Sequence, residues 1–138
     1  MDFHNLLENL KNKSFFSNLI IERGIEKESL RVTKKGYISN KKHPETLGSS
    51  YTNPSITTDF AESLIEIVTP TYTSVDELYE KLKIIHIFIN QNLKDGEMLW
   101  PFSMPPKIED ETKINIATYG KTNMGRLKHV YRKGLAIR

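Results

Sequence analysis

A chain of 138 residues is one domain's worth of polypeptide, or a piece of a larger domain, and is long enough to bury a core. With 38% hydrophobic and 27% charged residues it has an ordinary globular composition, and no apolar run reaches membrane-spanning length. The net charge is a mild +3, and the lack of any cysteine excludes disulfides, thiolate metal sites and a cysteine nucleophile.

The first residues mix acids with lysines and show no continuous apolar core ahead of a small-residue cleavage site, so they do not read as a signal peptide, and a cytoplasmic chain is expected. Phe3, Leu6, Leu7 and Leu10 fall at helical spacing behind Asp2, a possible N-cap, and Phe15, Phe16, Leu19 and Ile20 continue an apolar face. Gly24 breaks that pattern. Ile25 to Thr33 reads as a strand with Glu26, Glu28, Leu30 and Val32 on one face and Ile25, Lys27, Ser29 and Arg31 on the other. Lys34-Lys35-Gly36 is a turn, and Tyr37 to Asn40 returns to make a hairpin. Residues 41–55, rich in Pro, Gly, Ser, Thr and Asn, form a loop.

Ile56 to Pro70 sets three acids, Asp59, Glu62 and Glu66, inside an apolar run. Their i, i+3, i+7 spacing suits a helix. The β-branched residues Ile65, Ile67, Val68 and Thr69, closed by Pro70, suit a strand. A loop at Asp59 leading into a strand from Glu62 to Thr69 is expected. Ser74 and Glu77 then form a capping box for a helix with Val75, Leu78, Leu82, Ile85, Ile89 and Leu93 as its buried stripe and Gly96 as its end. His86, beside that stripe, is expected to have no functional part. Trp100 to Pro106 is neither regular helix nor central strand, but an aromatic-rich loop or an edge. Residues 107–118 read as irregular, and Asn123 to Gly134 as a helix with Leu127, Val130 and Tyr131 on one side. No acid follows Glu111, whereas Lys113, Lys121, Arg126, Lys128, Arg132, Lys133 and Arg138 do. Such a basic end meets phosphates, of a nucleotide or of nucleic acid, or is simply solvated.

Glu26 and Glu28 lie about 7 Å apart along their strand at ~3.3 Å per residue. Two readings are open for the acids. In one they face water, paired with Lys27, Arg31 and Lys34, an arrangement worth little. In the other they converge with the Glu62–Glu66 strand on a cation. Oxygen donors without Cys or His suit Mg²⁺ or Mn²⁺, which brings a nucleotide, with Arg126 and Arg132 clamping phosphate. Neither a Walker-type glycine loop nor a dinucleotide fingerprint is present.

Five blocks, in order and in register, resemble the proteobacterial-type glutamate–cysteine ligases from about Gly24 onward. They are Gly24-Ile25-Glu26-Lys27-Glu28-Ser29-Leu30-Arg31-Val32, His43 to Ser49, Ile56 through Asp59, Glu62 and Glu66 to Pro70, Trp100-Pro101 with Ser103-Met104-Pro105, and Tyr119-Gly120 with Asn123, Gly125-Arg126 and Tyr131-Arg132. The resemblance implies an α+β, glutamine synthetase-like fold whose curved antiparallel sheet with flanking helices lines the active site and is incomplete in this chain. It implies that residues 1–138 are the N-terminal portion of a single catalytic domain. The implied reaction joins the γ-carboxylate of L-glutamate to L-cysteine through γ-glutamyl phosphate, with ATP as co-substrate, as the first step of glutathione synthesis. By motif, Glu26, Glu28, Asp59 and Glu66 are the implied metal ligands, and Glu62 supports from behind them. Tyr131, Ser103 and Asn123 fall at the amino-acid end of the site, and Arg132 suits the transferred phosphate. Family members are several times longer, so the resemblance also implies a chain inactive alone, completed by a C-terminal portion. The alternatives are a non-catalytic remnant that serves as a binding or assembly module and, further off, a basic nucleic-acid-binding fragment.

Overall fold

A four-stranded sheet and the long helix packed on it hold the buried core. The computed structural model describes residues 2–12 and 19–135. β1 (Glu26–Val32), β2 (Ile56–Thr58), β3 (Leu64–Val68) and β4 (Met98–Leu99) form one sheet in the order β2-β3-β1-β4, and every pairing is antiparallel. Around it lie α1 (Phe3–Asn12), α2 (Val75–Asn92) and α3 (Asn123–Leu135), with single 3-10 turns at Glu45–Leu47 and Glu111–Lys113. The α+β architecture and the antiparallel sheet agree with the reading of the sequence.

The pattern of β3 explains the layering. Ile65 and Ile67 point to one face and are fully buried, while Leu64, Glu66 and Val68 point to the other and are half-buried. Ile56 on β2 joins the buried side, and Ile85 and Ile89 of α2 close over it together with Leu47. Each such aliphatic side chain, fully buried, stabilises the fold by about 1.5–3 kcal/mol. The opposite face of the sheet carries the acids.

The hairpin after β1 is present. Thr33 N–H donates to Tyr37 O at 2.8 Å and Ser39 N–H to Arg31 O at 2.9 Å, across the Lys34-Lys35 turn. Arg31 N–H also donates to Ser63 O at 2.7 Å, so the edge of β1 that faces β3 passes to the returning arm at this residue. Three sequence expectations need correction. β2 is a strand in its own right. Asp59 N–H donates to Leu64 O at 3.1 Å and Leu64 N–H to Ala61 O at 2.9 Å, so a five-residue turn separates β2 from β3, and β3 begins at Leu64 rather than Glu62. α2 is capped as expected, with Ser74 accepting from Glu77 N–H, but it ends at Asn92. Asp95 and Gly96, with φ of 56° and 73°, then make the turn into β4. Val75, placed in the buried stripe by spacing, is exposed, and the buried stripe begins at Leu78.

The Trp100 to Pro106 stretch is an ordered loop following edge strand β4. Trp100 Nε1 donates to Met104 O at 2.6 Å, and the Trp100 and Phe102 rings meet edge-on at 5.0 Å. His86 Nδ1–H donates to Leu82 O within α2. Phe15 and Phe16 lie outside the described residues. Among the described residues no helix is long and apolar enough to cross a membrane.

Candidate functional site

The register of the sheet gathers the predicted acids. Glu28 is the direct partner of Glu66, and Glu26 that of Val68, one step along. Thr69 N–H donates to Ile25 O and Arg31 N–H to Ser63 O, which makes residues 25, 27, 29 and 31 the hydrogen-bonded positions of the pair. Glu28 and Glu66 therefore form a non-hydrogen-bonded pair, the kind in which Cα atoms approach to about 4.5 Å and side chains lie closest. On the other side of β3, Glu66 faces Thr57, and Asp59 faces Leu64 through the hydrogen bond that closes the turn. Glu66 thus sits at the centre of the open face, with Glu28 opposite and Glu26 and Asp59 on its diagonals.

The charges act on one another. Glu66 is pushed above the ordinary glutamate range, first by loss of solvent and then by Asp59, Glu28 and Glu26 in that order, while Lys128 pulls the other way. Four carboxylates on one face are a donor set for a hard divalent cation. Yet among the described residues no three of them close together tightly enough to hold an ion. The chemistry of the donors fits Mg²⁺ or Mn²⁺; their convergence, as arranged in this chain, does not.

Glu62 belongs elsewhere. Its carboxylate is buried and turned into the protein, where it accepts from His43 N–H at 2.9 Å, Thr118 N–H at 2.9 Å and the Thr118 hydroxyl at 2.5 Å. It ties the 43–48 loop and the 117–119 segment to the turn that carries Asp59. Arg31 also departs from the solvent-paired reading. It is fully buried and forks onto Glu97 at 3.0 and 3.1 Å, with further bonds to the carbonyls of Lys41, Lys42 and Glu62. Ser39 donates to the same Glu97 carboxylate. This buried pair, which reading of the sequence missed, pins the far end of β1.

Tyr119 joins the acidic face to α3. Its hydroxyl donates to Asp59 O at 2.5 Å and approaches Thr58 O at 3.0 Å, and the Lys128 ammonium lies 4.1 Å above its ring. Asn123 opens α3 and is exposed, and Tyr131 is exposed one turn beyond Lys128. Tyr131 lines an open apolar groove with Tyr51, Met124, Leu127 and Lys128. The α3 side bearing Leu127, Val130 and Tyr131 thus faces outward. Ser103 is exposed in the Trp100 loop, which follows the strand at the opposite edge from β2. Arg132 lies in α3, and its side chain falls outside the described part of the structure. The strand register puts the acids on one face of the sheet.

A family model described as glutamate-cysteine ligase matches residues 5–138. A glutamate–cysteine ligase of Hahella chejuensis is 49% identical over 132 residues, which are 96% of this chain and 25% of that protein. Another, of Pseudomonas aeruginosa, is 51% identical over 115 residues, 83% of this chain and 22% of that protein. Among solved structures, a glutamate–cysteine ligase from Francisella tularensis in complex with AMP matches with a TM-score of 0.81 at 41% identity, over 85% of this chain and 23% of that one. A bifunctional glutathione synthetase from Pasteurella multocida matches with a TM-score of 0.76 at 30% identity, over 93% of this chain and 16% of that one. The chain therefore spans about a quarter of the length of the curated relatives it matches.

Proposed function

The chain belongs to the glutamate–cysteine ligase family, and from that premise we propose that residues 1–138 are the N-terminal portion of a single catalytic domain that joins L-glutamate to L-cysteine with ATP as co-substrate. The γ-carboxylate of glutamate attacks the terminal phosphorus of ATP and ADP leaves. The cysteine amine then attacks the acyl carbon of γ-glutamyl phosphate, inorganic phosphate leaves, and the amine gives up a proton. The observation that carries this reading is the strand register, which places Glu26, Glu28, Asp59 and Glu66 on one open face with Glu66 at its centre. The AMP held by the Francisella tularensis relative supports the use of ATP.

In this reading Glu26, Glu28, Asp59 and Glu66 are the residues that would hold Mg²⁺ or Mn²⁺. Such an ion, when bound, neutralises phosphate charge and orients the phosphoryl group. The carboxylates would supply oxygen donors and a concentrated negative field, and water and substrate phosphate oxygens would complete the coordination, since no three of the described acids converge here. Tyr131, Ser103 and Asn123 are assigned to the amino-acid end and Arg132 to the transferred phosphate. Consumption of ATP agrees with a cytoplasmic site of action.

The test is reconstitution. The chain is mixed with a second polypeptide corresponding to the remaining three quarters of a relative, and ADP and γ-glutamylcysteine are assayed. The chain alone is expected to be inactive and the mixture active, with Glu28→Gln or Glu66→Gln reducing turnover at least about 100-fold. No ADP in any mixture would sink the reading. A second reading, a non-catalytic assembly module, is favoured by the exposed apolar residues Tyr79, Ile84 and Phe88 on α2 and Leu127 and Tyr131 on α3. Product formation by the chain and its complement rules it out.

A further inference from the structure

His43 is a buried titratable group that the proposed reaction leaves unused. Both its ring nitrogens are buried, and neither has a hydrogen-bond partner among the described residues. Its backbone, by contrast, is clamped. The peptide joining Lys42 to His43 accepts at its carbonyl from Arg31 Nη2 at 3.0 Å and donates through its N–H to Glu62 Oε2 at 2.9 Å. The same Arg31 nitrogen donates to Glu62 O at 2.9 Å. One peptide group is thus gripped from both sides, by a guanidinium and by a carboxylate, and the His43 ring hangs directly off the grip. Beyond it the chain runs through the Glu45–Leu47 turn and places Leu47 in the core cluster, where Asn53 Nδ2 donates to Leu47 O at 2.9 Å.

The charged groups acting on His43 are Arg31 from β1 and Glu62 from the turn before β3; Lys41, Lys42 and Glu45, its neighbours in the chain, are exposed. Arg31 is committed to Glu97, and Glu62 to His43 N–H and to Thr118. A neutral imidazole here leaves one N–H and one lone pair unmet. A protonated one leaves two N–H groups unmet and adds a second cation to a site that already holds a guanidinium. An imidazolium also competes with the 42–43 peptide and with Thr118 for Glu62. We propose that His43 is a proton-sensitive latch, which holds the 43–48 loop on the sheet while its ring is neutral and releases the loop, ahead of the sheet itself, when the ring takes up a proton. Burial first and then Arg31 push the ring below the ordinary histidine range, while Glu62 and the backbone of Gly48 pull the other way. The released loop therefore binds the proton more readily than the closed one. Closure is fully favoured above about pH 6.5 and weakens as pH falls from there toward the lowered value of the closed form. The latch stands on this chain alone and involves no metal.

Amide hydrogen exchange of the 138-residue chain, followed residue by residue by NMR from neutral to mildly acid pH and corrected for intrinsic rates, tests the latch. Leu47 N–H and Gly48 N–H close the turn onto Pro44 O and Glu45 O. Their opening constants are expected to rise by up to about tenfold for each unit of pH below about 6.5, while the β1 and β3 amides hold. The His43 ring, followed by its own resonances, is expected to titrate below the ordinary histidine value. His43→Gln carries no proton in this range and keeps His4, His86 and His129. Its loop is expected to open independently of pH, whatever its absolute stability. Loop amides unprotected at neutral pH, a pH slope shared equally by loop and sheet, or a slope that survives in His43→Gln overturns the latch. Should that variant not fold, the wild-type ring decides: titration of His43 at or above about 6.5 overturns the latch, and titration below it together with the loop slope supports it.

Discussion

Glu28 and Glu66 face each other across β1 and β3 as a non-hydrogen-bonded pair, like charges at the closest approach an antiparallel sheet provides. Such a pair weakens a sheet by roughly 0.2–1 kcal/mol. Its presence at the centre of the open face, with Asp59 and Glu26 on the diagonals, means that the face concentrates like charge at the expense of the strands that carry it.

The first prediction follows from the sign of that cost. Glu66 binds its proton more readily in the folded chain than in the unfolded one, because lost solvent, Asp59, Glu28 and Glu26 all raise its pKa. The associated stability is fully present below the unfolded glutamate value, about 4.3, and is lost as pH rises through the raised folded value. Glu66→Gln removes the titration. In chelator at neutral pH the variant should therefore unfold at a higher temperature than the wild type, by an amount on the order of 0.2–1 kcal/mol. The advantage should vanish as pH is lowered through the acidic range. Thermal unfolding followed by circular dichroism against pH decides it, and a variant less stable than wild type at neutral pH contradicts it.

What the sequence shows of this face, and what it hides, has a simple physical basis. Two-residue spacing puts Glu26 and Glu28 on one side of any strand, so their alignment is readable locally. Which residue stands opposite them depends on register, and a one-residue slip would send Glu66 to the core side. The α2 cap and stripe are readable because capping and the 3.6 period are local rules. β2, three residues long, is too short for a period to show. Arg31 alternates with the acids, as spacing demands, but its partner lies 66 residues away and no local rule connects them. On α3 the period identifies the side shared by Leu127 and Tyr131, yet says nothing of what covers it.

Arg31 and Glu97 carry the second prediction. Their side chains are 0% and 4% exposed, and the guanidinium also serves three backbone carbonyls. Arg31→Met strands a buried carboxylate and leaves those carbonyls short of a donor, which should cost about 3–5 kcal/mol. Glu97→Gln should cost less, since the amide can still accept one of the bonds. Urea denaturation measures both. Because the pair is out of solvent, raising the salt concentration should change the difference little; a loss below about 1 kcal/mol for Arg31→Met would mean that solvent reaches the pair.

Glu62 carries the third prediction. It accepts from His43 N–H, Thr118 N–H and the Thr118 hydroxyl. Glu62→Gln turns an amide toward at least one of those donors and should destabilise the chain by about 1.5–3 kcal/mol. Its Mn²⁺ affinity should match that of the wild type, whereas Glu28→Gln should weaken Mn²⁺ binding with little loss of stability. Parallel unfolding and metal titrations on the two variants make the comparison, and a Glu62→Gln chain that loses metal but not stability would return Glu62 to the site.

Gly125 provides the last prediction, because two rules give it opposite signs. It lies inside α3, where replacing glycine by alanine ordinarily stabilises a helix by about 0.8–1 kcal/mol. Here the added Cβ would lie 2.2 Å from the Tyr119 carbonyl oxygen and 2.9 Å from its carbonyl carbon. Both are backbone atoms on the segment that Glu62 and Ala61 anchor, so they cannot swing aside as a flexible side chain would. The clash should win, and Gly125→Ala should lose about 1–3 kcal/mol rather than gain. Relief by moving α3 outward would lift Lys128 from the Tyr119 ring. The ε-methylene protons of Lys128, shifted upfield by that ring in the wild type, should return toward ordinary lysine positions in the variant, in step with the drop in unfolding midpoint. A Gly125→Ala chain that is more stable than wild type, with the Lys128 resonance unmoved, would show that α3 does not depend on this close approach for its seat.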